Sequence, residues 1–157
     1  MKILAIQNRM GIGDTVIFLP FIKALSKKFN TPISLLVKES SKADQFLYQT
    51  NYIDRIILLE REKKTKNRHV GLSGSFNLIK DIKKHNFDKI IIFNSSIRFY
   101  FIARLSGADE VYQYPLFKKH KHHITKTPKK FFKEKLNIEV DEDPEIQIDK
   151  ISINNSK

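Results

Sequence analysis

Lys2-Ile-Leu-Ala-Ile-Gln7, then Asn8-Arg-Met-Gly11-Ile-Gly13-Asp14 and the run on to Phe29, is the stretch that decides the fold. Lys2 to Gln7 is a short apolar run with the length and bounds of a buried strand. A turn with two glycines follows, closed by a carboxylate. Phe18, Phe21, Ile22, Leu25 and Phe29 then recur at i, i+3, i+4, i+7 and i+11, which is one face of a helix. Asp14 stands where that helix is expected to begin. There it would cap the free N–H groups of the first turn, and its charge suits the positive end of the helix dipole. Strand, glycine turn and acid-capped helix predict an open α/β sheet, whose ligands bind beyond the carboxyl ends of the strands.

Outward from this opening the same alternation continues. Pro32–Val37 reads as a second strand, Ser40–Tyr48 as a short helix capped by Ser40 or Ser41, and Tyr52–Leu59 as a third strand. Arg61–Arg68 is polar and basic, an expected loop, and Gly71 to Gly74 are expected to break the chain before a helix over Phe76–His85. Phe87–Phe93 is the clearest strand of all. Asn94-Ser-Ser96 turns into a helix over Ile97–Leu105, ended by Ser106-Gly107, and Glu110–Tyr112 is a fifth strand. About five alternations of strand and helix predict a Rossmann-like, three-layer α/β/α domain with a mostly parallel sheet. Ile146–Ile148 is a candidate last strand, and Ile151–Lys157 a frayed tail.

Composition narrows the class. The 157 residues are 41% hydrophobic and 29% charged, which fits one globular domain with a real core. No apolar run approaches the roughly 20 residues of a membrane span, and the N-terminus lacks the layout of a signal peptide. With no cysteine there are no disulfides and no thiolate metal site, so a cytoplasmic location is expected. The net charge of +12 favours polyanions: nucleic acid, anionic lipid headgroups or a phosphorylated saccharide. Nucleic acid fits least, because there is no RNP-like aromatic motif, zinc finger or recognition-helix pattern.

Candidate site residues fall in four places. Gly11 and Gly13 form a G-x-G turn, but Val16 stands where a dinucleotide fingerprint needs its third glycine. Asp14 beside a helix N-terminus would also repel a pyrophosphate lodged there. It suits a proton acceptor for a neutral hydroxyl, or it is only a cap; both readings stand at this point. Asn94, Ser96 and Arg98 follow the strongest strand and should line the same edge, with Arg98 able to hold an anion bidentately or the serines simply capping a helix. Arg61, Lys63, Lys64, Lys66 and Arg68 form one basic run. Pro115–Lys135 forms another, with eight lysines and three histidines against the single acid Glu134. His120, His122 and His123 suggest a metal, yet Lys118, Lys119, Lys121 and Lys126 surround them and would repel a cation, so no metal is expected. An anion-binding segment that uses Lys121, His123 and Lys126 competes with a solvated basic loop. Glu139–Glu145 swings acidic around Pro144, as a domain edge does.

Several of these residues together resemble glycosyltransferase family 9, the ADP-heptose:lipopolysaccharide heptosyltransferases. They are Lys2-Ile-Leu-Ala-Ile, Gly13-Asp14-Thr-Val, Pro20, Ala24-Leu25 and Lys27-Lys28-Phe29. Asn51-Tyr-Ile-Asp54-Arg55-Ile-Ile, Asp88 to Arg98, Ala103-Arg104-Leu105-Ser106-Gly107-Ala108 and Lys121-His122-His123-Ile124 with Lys126 extend the likeness. The resemblance implies the N-terminal half of a GT-B enzyme, with residues 1–149 as an acceptor-binding domain and 150–157 as a tail or the start of a linker. It implies inverting, metal-free transfer of heptose from ADP-heptose to an anionic lipopolysaccharide-core acceptor, with Asp14 as general base. Gly11, Gly13, Asn94, Ser96, Arg98, Arg61, Lys64, Lys121, His123 and Lys126 would bind that acceptor. No cofactor is implied. The donor would bind a C-terminal domain that these residues do not include, so the chain alone is expected to be inactive. Peripheral contact with the anionic inner face of the inner membrane is a further expectation. The alternative is a stand-alone, non-catalytic binding module for an anionic saccharide or nucleotide.

Overall fold

A computed structural model of the chain describes residues 1–8, 11–47, 50–61, 68–114 and 126–141. Five strands form one sheet: β1 (Ile3–Gln7), β2 (Ile33–Lys38), β3 (Ile53–Leu59), β4 (Lys89–Ile92) and β5 (Glu110–Gln113). Their order is β3-β2-β1-β4-β5, and all four pairings are parallel. The helices are α1 (Ile12–Phe29), α2 (Ala43–Phe46), α3 (Gly71–Lys83), α4 (Ile97–Leu105) and α5 (Lys126–Phe131), the last running into a π turn over Phe132–Leu136. The Rossmann-like α/β class predicted from the alternation is the fold observed.

β1 is central, and all five of its residues are buried. A strand covered on both faces has to be apolar throughout, which is why it reads as a continuous run rather than an alternation. Side chains still alternate between faces. Ile3 and Ala5 join α1 in one core, with Phe18, Phe21, Ile22 and Leu25; Leu4 and Ile6 join α3 and α4 in the other, with Leu78, Ile82, Phe99 and Ile102.

Three expected elements differ from those observed. Helix α1 begins at Ile12 and its N-cap is Gly11, not Asp14. Gly11 takes φ 96 and ψ 160, a conformation open to glycine. The first turn can therefore close earlier, with the Thr15 N–H donating to the Gly11 carbonyl at 3.4 Å. Asp14 thus lies within the first turn, where its charge still faces the positive helix end. Helix α3 begins at Gly71, five residues before the expected start. Gly74 does not break it but permits close approach: a Cβ there would stand 2.3 Å from the backbone carbon of His69. The expected Ser40–Tyr48 helix is split, with a 3-10 turn over Glu39–Ser41 and Lys42 at φ 49 before α2. Lys42, not Ser40 or Ser41, is the N-cap of α2, because the left-handed turn there sets Ser41 one residue back; the Ser41 Oγ still accepts from the Ala43 N–H at 3.3 Å.

The basic C-terminal region also contains an element that charge conceals. Phe131, Phe132 and Leu136 are buried on the α1 side of the sheet, and Pro128 is buried as well. Phe132 packs 5.2 Å from Phe21 and 5.6 Å from Phe93, ring centroid to centroid, and Phe131 lies 5.0 Å from Tyr114. The lysines between them point out, so the helix carries its cations on a scaffold of core aromatics.

Gly74→Ala forces a methyl group against backbone that cannot rotate away, and should cost about 1–3 kcal/mol of stability by urea denaturation. Gly13→Ala meets nothing within 4 Å. In the first turn of a helix it should leave stability unchanged or raise it by at most about 1 kcal/mol in the same measurement.

Candidate active site

Every strand runs the same way, so one edge of the sheet collects all the carboxyl ends. The strand order reverses between β1, which leads through α1 to β2, and β4, which leads through α4 to β5. At such a reversal the two connections leave on opposite faces and a crevice opens between them. Asn8, directly after β1, and Asn94, just after β4, meet across it: Asn94 Nδ2 donates to Asn8 Oδ1 at 2.9 Å. Asn94 Oδ1 accepts the Ser96 N–H at 2.8 Å, and the Ser96 carbonyl accepts from Gln113 Nε2 at 2.8 Å. One polar seam therefore links the ends of β1, β4 and β5. Ser96 is the N-cap of α4, but its hydroxyl makes no capping bond, so the expected serine cap is replaced by the Asn94 amide.

Gly11, Gly13 and Asp14 lie on the β1 side of this crevice. Asp14 is part-exposed and has no hydrogen-bond or ion-pair partner among the described residues. A carboxylate held at a helix N-terminus and left uncommitted is free to accept a proton from an incoming hydroxyl.

Arg98, in the first turn of α4, is more committed than its sequence position suggested. Its Nε donates to Ser75 Oγ at 2.9 Å, and its Nη2 to the His69 carbonyl at 2.7 Å and the Gly71 carbonyl at 3.5 Å. It thereby ties the start of α4 to the start of α3. Burial, then the like charge of Arg61, pulls its guanidinium below its ordinary pKa. That mutual influence places Arg61, at the end of β3, in the same electrostatic neighbourhood.

Behind Arg98 lies a network with no sequence signal. His69 is almost wholly buried; its Nδ1 accepts the Glu60 N–H at 3.0 Å, so its ring proton sits on Nε2, 3.1 Å from Asp81 Oδ2. Asp81 Oδ1 also accepts from Arg68 at 2.8 Å and Lys84 at 3.1 Å. Burial raises the Asp81 pKa, but the hydrogen bonds from His69 and Lys84 and the Arg68 charge outweigh it, and the net shift is downward. The His69 backbone that receives Arg98 is thus fixed from three sides.

Of the remaining expected site residues, Lys126 is exposed at the first position of α5, whose Phe131 packs beside the carboxyl end of β5. Lys64, Lys121 and His123 lie outside the described residues, as do His120, His122, the Ile146–Ile148 segment and the tail. Among the described residues no group of three or more His, Cys, Asp or Glu side chains could hold a metal ion. No described helix is long and apolar enough to cross a membrane. Asn8 and Gln113 were not expected at the site. Their only sequence mark is that each stands at the carboxyl end of an apolar strand.

No protein-family model matches the chain, and no curated protein matches it by sequence. Solved structures do. The glycosyl transferase family 9 structure from Veillonella parvula superposes with a TM-score of 0.66 at 17% identity, over 96% of this chain and 46% of its own length. The chain has the fold of one half of a family 9 glycosyltransferase. E. coli heptosyltransferase WaaC with ADP gives a TM-score of 0.61 at 15% identity, covering 95% of this chain and 51% of that one. E. coli ADP-heptose lps heptosyltransferase II gives 0.61 at 12%, covering 99% and 49%. The chain thus spans about half the length of the glycosyltransferases it matches, as expected for the N-terminal half of a GT-B fold. At these identities the likeness is one of fold.

Because the folded Asp81 pKa is depressed, its contribution to stability is complete above the unfolded carboxylate value of about 3.9 and is lost as pH falls through the folded value. Asp81→Asn should therefore lower stability by about 1–3 kcal/mol at pH 7. The gap from the parent chain should narrow as pH falls below that unfolded value and close once the folded carboxyl is protonated, as read from denaturation midpoints at pH 7 and in acid.

Proposed function

We propose that the chain is the acceptor-binding half of a heptosyltransferase-like glycosyltransferase. Residues 1–149 would form that half, and 150–157 would lead toward a donor-binding half like the one the matched chains have room for. The observation that carries this reading is Asp14: a carboxylate with no partner among the described residues, at the switch-point edge of a sheet whose fold is that of family 9 glycosyltransferases. A carboxylate there disfavours a nucleotide pyrophosphate and favours a sugar hydroxyl.

In this mechanism Asp14 accepts the proton of an acceptor hydroxyl. The oxygen attacks the anomeric carbon of ADP-heptose, the bond from that carbon to the phosphate oxygen breaks, and ADP leaves with inversion. The glycine turn at Gly11 and Gly13 lets a bulky saccharide approach the backbone. Asn94, Ser96 and the cations Arg61, Arg98 and Lys126, with Lys64, Lys121 and His123, would hold the carboxylates and phosphates of a lipopolysaccharide-core acceptor. No metal or cofactor takes part. Such an acceptor is anchored in lipid, which would keep the protein at the inner face of the inner membrane.

Asp14→Asn keeps the shape of the side chain and removes its basicity. In the complete two-half enzyme, assayed with ADP-heptose and a core acceptor, it should reduce kcat by about 10²–10⁴. Binding of the acceptor oligosaccharide, followed by calorimetry, should change less than about threefold, because a hydroxyl contact is retained. The 157-residue chain by itself should bind acceptor and transfer nothing. Unchanged kcat in Asp14→Asn would return Asp14 to a purely structural role.

A further inference from the structure

Among the described residues, five of the eight large hydrophobic side chains left in solvent lie on α3 and α4, the others being Met1, Ile12 and Val70. Leu72 and Phe76 lie on α3 at 85% and 64% exposure, and Ile97, Phe101 and Leu105 lie on α4 at 50%, 57% and 60%. Leu72 and Phe76 are one helical turn apart, and Ile97, Phe101 and Leu105 are successive turns of one stripe. Both helices cover the same face of the sheet and pack side by side, joined at their first turns by Arg98 and Ser75. α1, on the opposite layer, has by contrast its N-terminal Ile12 as its single large exposed hydrophobic residue.

The charges on this layer have one dominant sign. α3 and α4 carry Lys80, Lys83, Arg98 and Arg104 against the single acid Asp81, a balance of four cations to one anion. Asp81 is itself engaged by His69, Arg68 and Lys84. Lys80, Lys83 and Arg104 are exposed toward the C-terminal ends of the two helices. Two aromatic rings and three aliphatic side chains beside outward cations are the makings of an interfacial surface: the apolar groups enter the acyl boundary and the cations meet anionic headgroups. A second copy of this chain fits worse, because a self-complementary contact would set cations against cations in a molecule already at +12.

We propose that the α3–α4 layer is the surface by which this protein docks on an anionic lipid bilayer. The apolar stripe reaches the site edge, since Leu72 and Ile97 stand in the first turns of α3 and α4, where Arg98 joins them. Docking by this layer would hold the Asp14 crevice beside the membrane rather than away from it. For its purpose this surface rests on the acceptor reading above, but exposure and charge support it separately.

The chain has no tryptophan, so Phe101→Trp is a unique fluorescent reporter, and Lys28→Trp on α1 is its control on the opposite layer. Each is titrated with vesicles of phosphatidylcholine alone or mixed with phosphatidylglycerol, with and without brominated acyl chains. Docking predicts binding to the phosphatidylglycerol vesicles only, weakened by salt, with bromolipid quenching of Phe101→Trp and not of Lys28→Trp. Phe76→Ser combined with Phe101→Ser should weaken binding at least about tenfold while circular dichroism stays that of the parent. Absence of binding, equal quenching of both reporters, or full binding by the folded double variant would overturn the proposal. So would a dimer seen by sedimentation in the parent chain and lost in the double variant. Asp14→Asn should bind vesicles like the parent, so failure of docking and failure of the glycosyl-transfer reading are told apart.

Discussion

The structure depends on β1 being paired on both edges with parallel strands. It lies between β2 and β4 in register from Ile3 to Ile6, with both faces covered. Parallel pairing cannot be made by tight turns, so each connection crosses over a face with a helix, and the crossovers carry the chain first to one side of β1 and then to the other. Everything functional follows from that reversal. It brings the loops after β1 and β4 together at one edge, where Asn8 and Asn94 bond to each other and the first turn of α1 carries Asp14.

At that edge the protein separates two electrostatic tasks. Arg98 is braced: it is held by Ser75 and the His69 carbonyl, and His69 is held by Glu60 and Asp81. Such bracing keeps a charged side chain in place at little entropic cost when a ligand arrives. Asp14, by contrast, has no hydrogen-bond or ion-pair partner among the described residues and lies in the first turn of α1. An acid meant only to stabilise the fold would gain by pairing in a chain with 29 lysines and arginines against 17 acids.

The α3–α4 layer shows how the two sides of the domain differ. The α1 face is sealed by aromatic packing, with Phe131 and Phe132 of the C-terminal helix closing over Phe93 and Tyr114. The opposite face buries Phe99 and Ile102 inward but leaves Phe101 and Leu105 outward on the same helix. Surface aromatics in such a row cost solubility, and are retained where something apolar covers them.

By itself the amino-acid sequence determined the class of fold and most element positions. Buried parallel strands must be apolar throughout, and amphipathic helices must repeat at 3.6 residues, so both leave a mark in a single chain. Helix α4 is legible to the residue, Ile97 to Leu105. Only the tertiary structure decided that Gly11 rather than Asp14 caps the start of α1, and that Gly74 packs on His69 instead of breaking a helix. It alone made Phe131 and Phe132 core residues within a lysine-rich run, and it alone joined Asn8 to Asn94 and Arg98 to His69. These facts depend on contacts between residues as many as 86 positions apart. Local propensity carries no record of such contacts, because they form only once the crossovers have brought the strand ends to one edge.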